Sequence, residues 1–232
     1  MNPPDETLQL WDAYLASERI RIRPQSMEAL ESFISALLEL EPEHWHPWAR
    51  DLAMRVIDDQ DQTDIRLPLF RSVLFPALHT GLHTSTPGTA RWLAGFSQLL
   101  YKCPECSELL PENLRTEYGL LQRAVSDDGS DLRSKMRLLG RMRSHFEYAL
   151  HELPSGILYG HDGATIEECG ELLAELADYK RLADEVGLER DHELVSEAEF
   201  HITAYRKYLG ELGRYTNYSQ YLARRGSGEP ID

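Results

Sequence analysis

Two stretches of this chain, 130–151 and 164–186, repeat apolar side chains at three- and four-residue intervals along their whole length, a period that only an α-helix can turn toward a core. Leu132, Leu139, Met142, Phe146 and Leu150 share one side of the first, with Leu153 just beyond; Ile166, Cys169, Leu173, Leu176 and Ala183 share one side of the second. The outward faces carry opposite charge. Arg133, Arg137 and Arg141 recur four apart on the first, and Glu167, Glu171 and Glu175 do so on the second, with Asp178 extending the row. Like charges at that spacing repel by roughly 0.2–0.5 kcal/mol per pair. Each row therefore needs a partner, an ion or open solvent.

The rest of the chain has the same period. Helices are expected from Asp5 to Ile20, from a Ser26 cap through Leu40, from Trp45 to Ile57, and from Leu67 to Leu82 with a kink or break at Pro76. Others follow from Thr86 to Tyr101, Glu112 to Val125 and Asp191 to Leu212, the last with Phe200, Ala204, Tyr208 and Leu212 inward. The acidic stretch 58–64 reads as a solvated turn. No segment alternates apolar and polar residues as a half-buried strand would, and the connections are short. The fold class is all-α: an irregular array or bundle of about eight mostly antiparallel helices in a single domain over 1–223, with a disordered tail at 224–232. Ala29, Phe33, Ala36, Pro42 and Trp48 are spaced so that their segment resembles a tetratricopeptide repeat, which implies helical-hairpin packing.

Charge limits the partners. The net charge is −15. Residues 1–64 hold 5 basic and 14 acidic side chains, residues 65–152 hold 11 and 9, and residues 153–232 hold 8 and 16. Acidic ends flank a near-neutral middle, so the chain should repel nucleic acid and anionic membranes and suit a basic protein. No apolar run approaches the length of a membrane helix. The opening MNPPDETLQL lacks the basic and apolar regions of a secretory signal. Three cysteines are too few and too odd for a disulfide scaffold. A cytoplasmic protein with reduced thiols is expected.

Three constellations invite chemistry. His79 and His83, one helical turn apart, precede Cys103-Pro-Glu-Cys106, a set of four side chains of the kind that holds structural zinc. The segment Ile166-Glu167-Glu168-Cys169-Gly170-Glu171 contains EExxE and resembles the metal-binding helix of the all-α, MazG-like nucleotide pyrophosphohydrolases. That resemblance implies Glu167, Glu168 and Glu171 as magnesium ligands; the ExxD expected on a following helix is met only by Glu175 and Asp178 on the same one. The connection LPSGILYGHDG (153–163) has glycines that permit unusual backbone angles, places His161 and Asp162 before a helix, and offers Leu158 and Tyr159 as exposed anchors.

Weighed together, these features point to recognition without a cofactor. The expectation is a non-enzymatic adaptor or inhibitor, of the kind that neutralises a basic protein, with Glu167, Glu171, Glu175, Tyr159 and His161 as contacts. The arginine row is expected to pair with the acidic row at the rim of the two helices. The alternatives are the magnesium-dependent hydrolase and a zinc-stabilised structural domain.

Overall fold

The computed structural model describes residues 3–159, 161–188 and 191–226. Every regular element among them is helical, and none is a strand. The chain forms two compact units, one up to Ser134 and the other from Lys135 onward.

In the first unit, α1 (Asp5–Ile20) and α2 (Arg23–Leu38) pack as a hairpin. Asp5 and Glu6 favour the start of α1 through its dipole, and Arg19 favours its end. α2 begins with Pro24 in its first turn, so Ser26 is not its cap but lies buried within it, donating to the Ile22 carbonyl. α3 (Pro42–Asp58) likewise starts on a proline, at the position where a missing N–H costs nothing. Trp11, Phe33 and Trp48 meet at ring-centroid distances of 5.1–5.3 Å and bind these three helices into one core.

The helix expected from Leu67 forms, and its regular turns are broken just before Pro76. α4 (Leu67–Leu69) runs into a wide turn, Phe70–Leu74, and then into α5 (Phe75–His83). In that turn the Phe75 N–H reaches the Phe70 carbonyl, five residues back. Pro76 supplies the cause: it has no N–H and crowds the carbonyl four residues before it. The next expected helix also divides, at Phe96, into α6 (Thr89–Gly95) and α7 (Ser97–Tyr101). A short α8 (Pro104–Glu108) occupies the expected connection, and α9 (Glu117–Asp127) is capped by the Thr116 hydroxyl. α3 packs on α5 and α6, and α6 on α9.

One side chain anchors this unit. Arg91 of α6, only 7% exposed, donates to Asp58 at the end of α3 from both Nε (2.9 Å) and Nη2 (2.6 Å). It also pairs with Asp131, whose other oxygen caps the helix that follows. Asp58 accepts from the Trp92 indole at 2.8 Å as well. The expected solvated turn at 58–64 is thus wrong at its first residue.

The second unit takes in most of α10 (Leu132–His151), followed by α11 (Ile166–Glu185), α12 (His192–Gly210) and α13 (Tyr218–Gly226). α11 and α12 pack as a hairpin, and α13 closes on α12. Four inward assignments are corrected: Leu132, Ile166, Phe200 and Leu212 are all exposed, Phe200 by 58% and Leu212 by 65%. Buried tyrosines take the place of the last two. Tyr218 stacks on Tyr221 and meets Tyr205 edge-on, with a ring-centroid distance of 5.0 Å to Tyr205, and its hydroxyl lies 3.0 Å from His201 Nδ1. Arg224 and Arg225 of the expected tail belong to α13 and lie over Tyr215 and Tyr221; 227–232 lie outside the described residues.

Three half-buried histidines are expected to make the fold less stable in acid. Burial lowers the pKa of His46, His79 and His201 below the ordinary imidazole value, aided at His46 by Arg50 and at His79 by His83, and opposed at His201 by Glu197. A ring held neutral in the folded state binds its proton more readily when unfolded. Its contribution is therefore complete above about pH 6.5 and is lost as pH falls toward the folded value. Urea midpoints measured at pH 7.5, 6.5 and 5.5 should decline across that window. Equal midpoints would mean that these rings take up charge inside the fold without cost.

Candidate functional site

The acidic face of α11 is built from its first residues. The Thr165 hydroxyl accepts from the Glu168 N–H at 3.1 Å, and the Glu168 carboxylate accepts from the Thr165 N–H at 2.7 Å. This reciprocal pair satisfies donors that a helix start otherwise leaves open. It also assigns Glu168 a structural place, although the MazG-like resemblance implies a ligand there. Cys169, Leu172, Leu176, Tyr179, Leu182 and Ala183 are buried, which turns Glu167 and Glu171 to solvent. Neither makes an ion pair or hydrogen bond among the described residues. Burial pushes the Cys169 thiol up to about 11, beyond the range of a reactive thiolate.

Farther along the row, the carboxylates are occupied. Glu175 is half-buried and lies 2.9 Å from His145 Nδ1 of α10. Asp178 accepts from Arg181 at 2.8 Å. The expected pairing between the arginine row and the acidic row does not occur in that register. Arg133 reaches Asp58 at 3.6 Å, and Arg137 and Arg141 are engaged in other interactions. Besides His145, Lys135 and Arg143 of α10 pair with later residues, Lys135 with Glu185 at 3.1 Å and Arg143 with Asp191 at 3.0 Å.

The connection between α10 and α11 is pinned from both sides. The Tyr159 N–H donates to the Ala149 carbonyl at 2.9 Å, and the Ala164 N–H to the Leu158 carbonyl at 2.6 Å. Leu158 is fully buried, so it is core and not the exposed anchor expected. Tyr159 has φ +55°, in the left-handed region that costs a non-glycine residue energy. That backbone sets its ring edge-on to His145, with centroids 5.3 Å apart, and to Tyr148, at 6.2 Å. Tyr148 is 59% exposed.

The structure thus gathers Tyr159 and Glu175 around His145 and Tyr148, with Glu171 and Glu167 continuing along the same helix. His161 is exposed and has no hydrogen bond, ion pair or ring contact with this group among the described residues; Gly160, beside it, lies outside them. Sequence alone did not single out His145, because its spacing to Glu175 is tertiary. Its one signal was the three-residue step to Tyr148, which puts both on one side of α10.

The zinc set does not assemble. Cys103 and Cys106 are joined by a disulfide, contrary to the expected reduced thiols, with Cα atoms 5.3 Å apart and both residues buried. Pro104 opens α8 between them and brings the backbone within bridging range. His79 and His83 face each other instead, with Nε2 atoms 3.2 Å apart. Among the described residues, no three His, Cys, Asp or Glu side chains form a group able to hold a metal, which leaves Glu167, Glu168 and Glu171 without the arrangement that the resemblance implies. None of the described helices is long and apolar enough to cross a membrane. The chain matches no protein-family model, no curated protein and no solved structure.

Proposed function

We propose that this protein acts by non-covalent recognition, and that the α11 face with its tyrosine border docks a basic protein. The observation that carries this reading is the exposed Tyr148, set edge-on against Tyr159, at the border of a helix face whose Glu167 and Glu171 make no ion pair or hydrogen bond among the described residues. Tyrosine supplies broad contact area at low entropic cost, and unpaired carboxylates steer a cationic partner and fix its register. The capping box and the two backbone bonds of the connection hold this surface in place before any partner arrives.

A retention experiment tests the reading. Wild-type protein on a resin should retain basic proteins from a lysate in a salt-sensitive manner. Glu167→Lys with Glu171→Lys should abolish that retention, and reversal of Glu171 with Glu175 should weaken it and reduce its dependence on salt. Tyr148→Ala should weaken the affinity of the retained partner by about 2 kcal/mol. Equal retention by wild type and the charge-reversed variants would overturn the assignment. So would nucleotide turnover with magnesium that vanishes in Glu167→Gln, since that outcome belongs to the hydrolase alternative.

A further inference from the structure

The first 64 residues are strongly acidic, yet four of their five basic side chains line a single cleft. It has a volume of about 910 Å³, lies at the turn between α1 and α2, and is closed on its far side by residues 61–66. Arg19, Arg21, Arg23 and Arg55 line it together with Arg66, against the carboxylates of Glu18, Asp61 and Asp64. Two of these arginines are committed. Arg66 forks onto Glu18 at 3.1 and 2.8 Å, and Arg55 pairs with Asp51 at 3.0 Å and Asp61 at 3.6 Å. Arg19, Arg21 and Arg23 are exposed and make no such pair among the described residues.

Helix physics accounts for only one of the three. Arg19 sits in the last turn of α1, where a cation complements the dipole. Arg21 occupies the left-handed position that ends α1, with φ +61°, where glycine would fit without strain. Arg23 is the first residue of α2, the end at which a cation is disfavoured, and no acidic residue in that first turn offsets it. Two arginines are thus held at the mouth of a cleft at positions that local structure penalises.

We infer that this cleft binds a small polyanion bearing phosphate groups. The guanidinium fork matches phosphate oxygens two at a time, and the volume falls within the range of small-molecule sites. Trp11 and Leu15 give the cleft an apolar part, and Ser26 and Thr63 add hydroxyl groups. This site lies in the first unit, has the opposite sign to the α11 face, and stands or falls independently of it.

The test is calorimetric titration of the full chain with inorganic tripolyphosphate at fixed ionic strength, alongside thermal melts. One tripolyphosphate should bind per chain and raise the melting temperature. Binding should weaken about tenfold or more in Arg19→Gln with Arg23→Gln, as expected for the loss of charged hydrogen bonds. Arg21→Gly should also weaken it while leaving the unliganded melting temperature unchanged or higher, a result that a merely structural arginine would not give. Arg224→Gln with Arg225→Gln, on α13, should bind as wild type does. No binding, or equal binding by all variants, would overturn the inference. Citrate binding as tightly as tripolyphosphate would overturn the phosphate assignment. Association with phosphatidylserine vesicles in place of tripolyphosphate would make the turn, with exposed Ile20 and Ile22, a membrane-surface contact instead.

Discussion

Replacing Arg91 by methionine is expected to cost the fold roughly 3–5 kcal/mol, the usual range when one member of a buried ionic network is removed. The Asp58 side chain is 3% exposed and, among the described residues, would keep the Trp92 indole N–H and the Arg133 guanidinium at 3.6 Å. Burial alone pushes the Asp58 carboxyl up. In the native protein, hydrogen bonds from Arg91 and Trp92 and the charges of Arg91 and Arg133 more than reverse that and hold it below the ordinary carboxylate range. A folded pKa below the unfolded one gives stability that is present above about pH 4 and lost as pH falls through the folded value. Without Arg91 the burial effect dominates and the sign inverts, so the variant loses less on acidification than wild type does. Urea unfolding of both proteins at pH 7 and pH 4 should show the gap narrowing. Asp58→Asn in the Arg91→Met background should recover part of the loss, because an amide can still accept from Trp92 without burying a charge. Strict additivity of the two substitutions would mean that the network is not coupled.

That network marks the limit of what the sequence made legible. α1 runs from Asp5 to Ile20 as its periodicity and first-turn acids indicated, and α10, α11 and α12 begin and end within two residues of expectation. These are local properties: period, cap and dipole. Asp58 is not local. An acidic run such as 58–64 looks the same whether its first carboxylate faces water or an arginine 33 residues later. The same reason hides His145, whose partner Glu175 lies 30 residues away, and the burial of Leu158 in a glycine-rich connection. Phe200 was placed inward by its four-residue spacing to Ala204, Tyr208 and Leu212, while other tyrosines of α12 and α13, Tyr205, Tyr218 and Tyr221, are the buried ones. Glu168 is a different case. Thr165-Ile166-Glu167-Glu168 carries the capping-box spacing in plain view, but its carboxylates also match a metal-binding helix, and the cap itself is seen only in the hydrogen bonds of α11.

Gly119→Ala is the second large effect expected, and its sign is opposite to what helix propensity indicates. In the interior of a free helix, alanine is favoured over glycine by roughly 0.5–1 kcal/mol. At position 119, a Cβ would overlap the Asn113 carbonyl oxygen and lie 2.9 Å from its carbon. That carbonyl belongs to the backbone of a tight turn, Glu112–Leu114, and has little room to yield. The Leu114 N–H is bonded to the Pro111 carbonyl at 2.8 Å, and Arg115 Nε to the Leu110 carbonyl at 3.0 Å. The Gly119 N–H is itself fixed by the Thr116 cap at 3.1 Å. Overpacking against backbone should therefore outweigh propensity, for a net loss of about 2–3 kcal/mol. Gly140 and Gly170 provide the contrast. A Cβ at either meets nothing within 4 Å, so alanine there should stabilise α10 and α11 by roughly 0.5–1 kcal/mol. Urea unfolding of the three single variants decides the matter: a Gly119→Ala protein as stable as Gly170→Ala would mean that the turn before α9 does not approach the helix this closely.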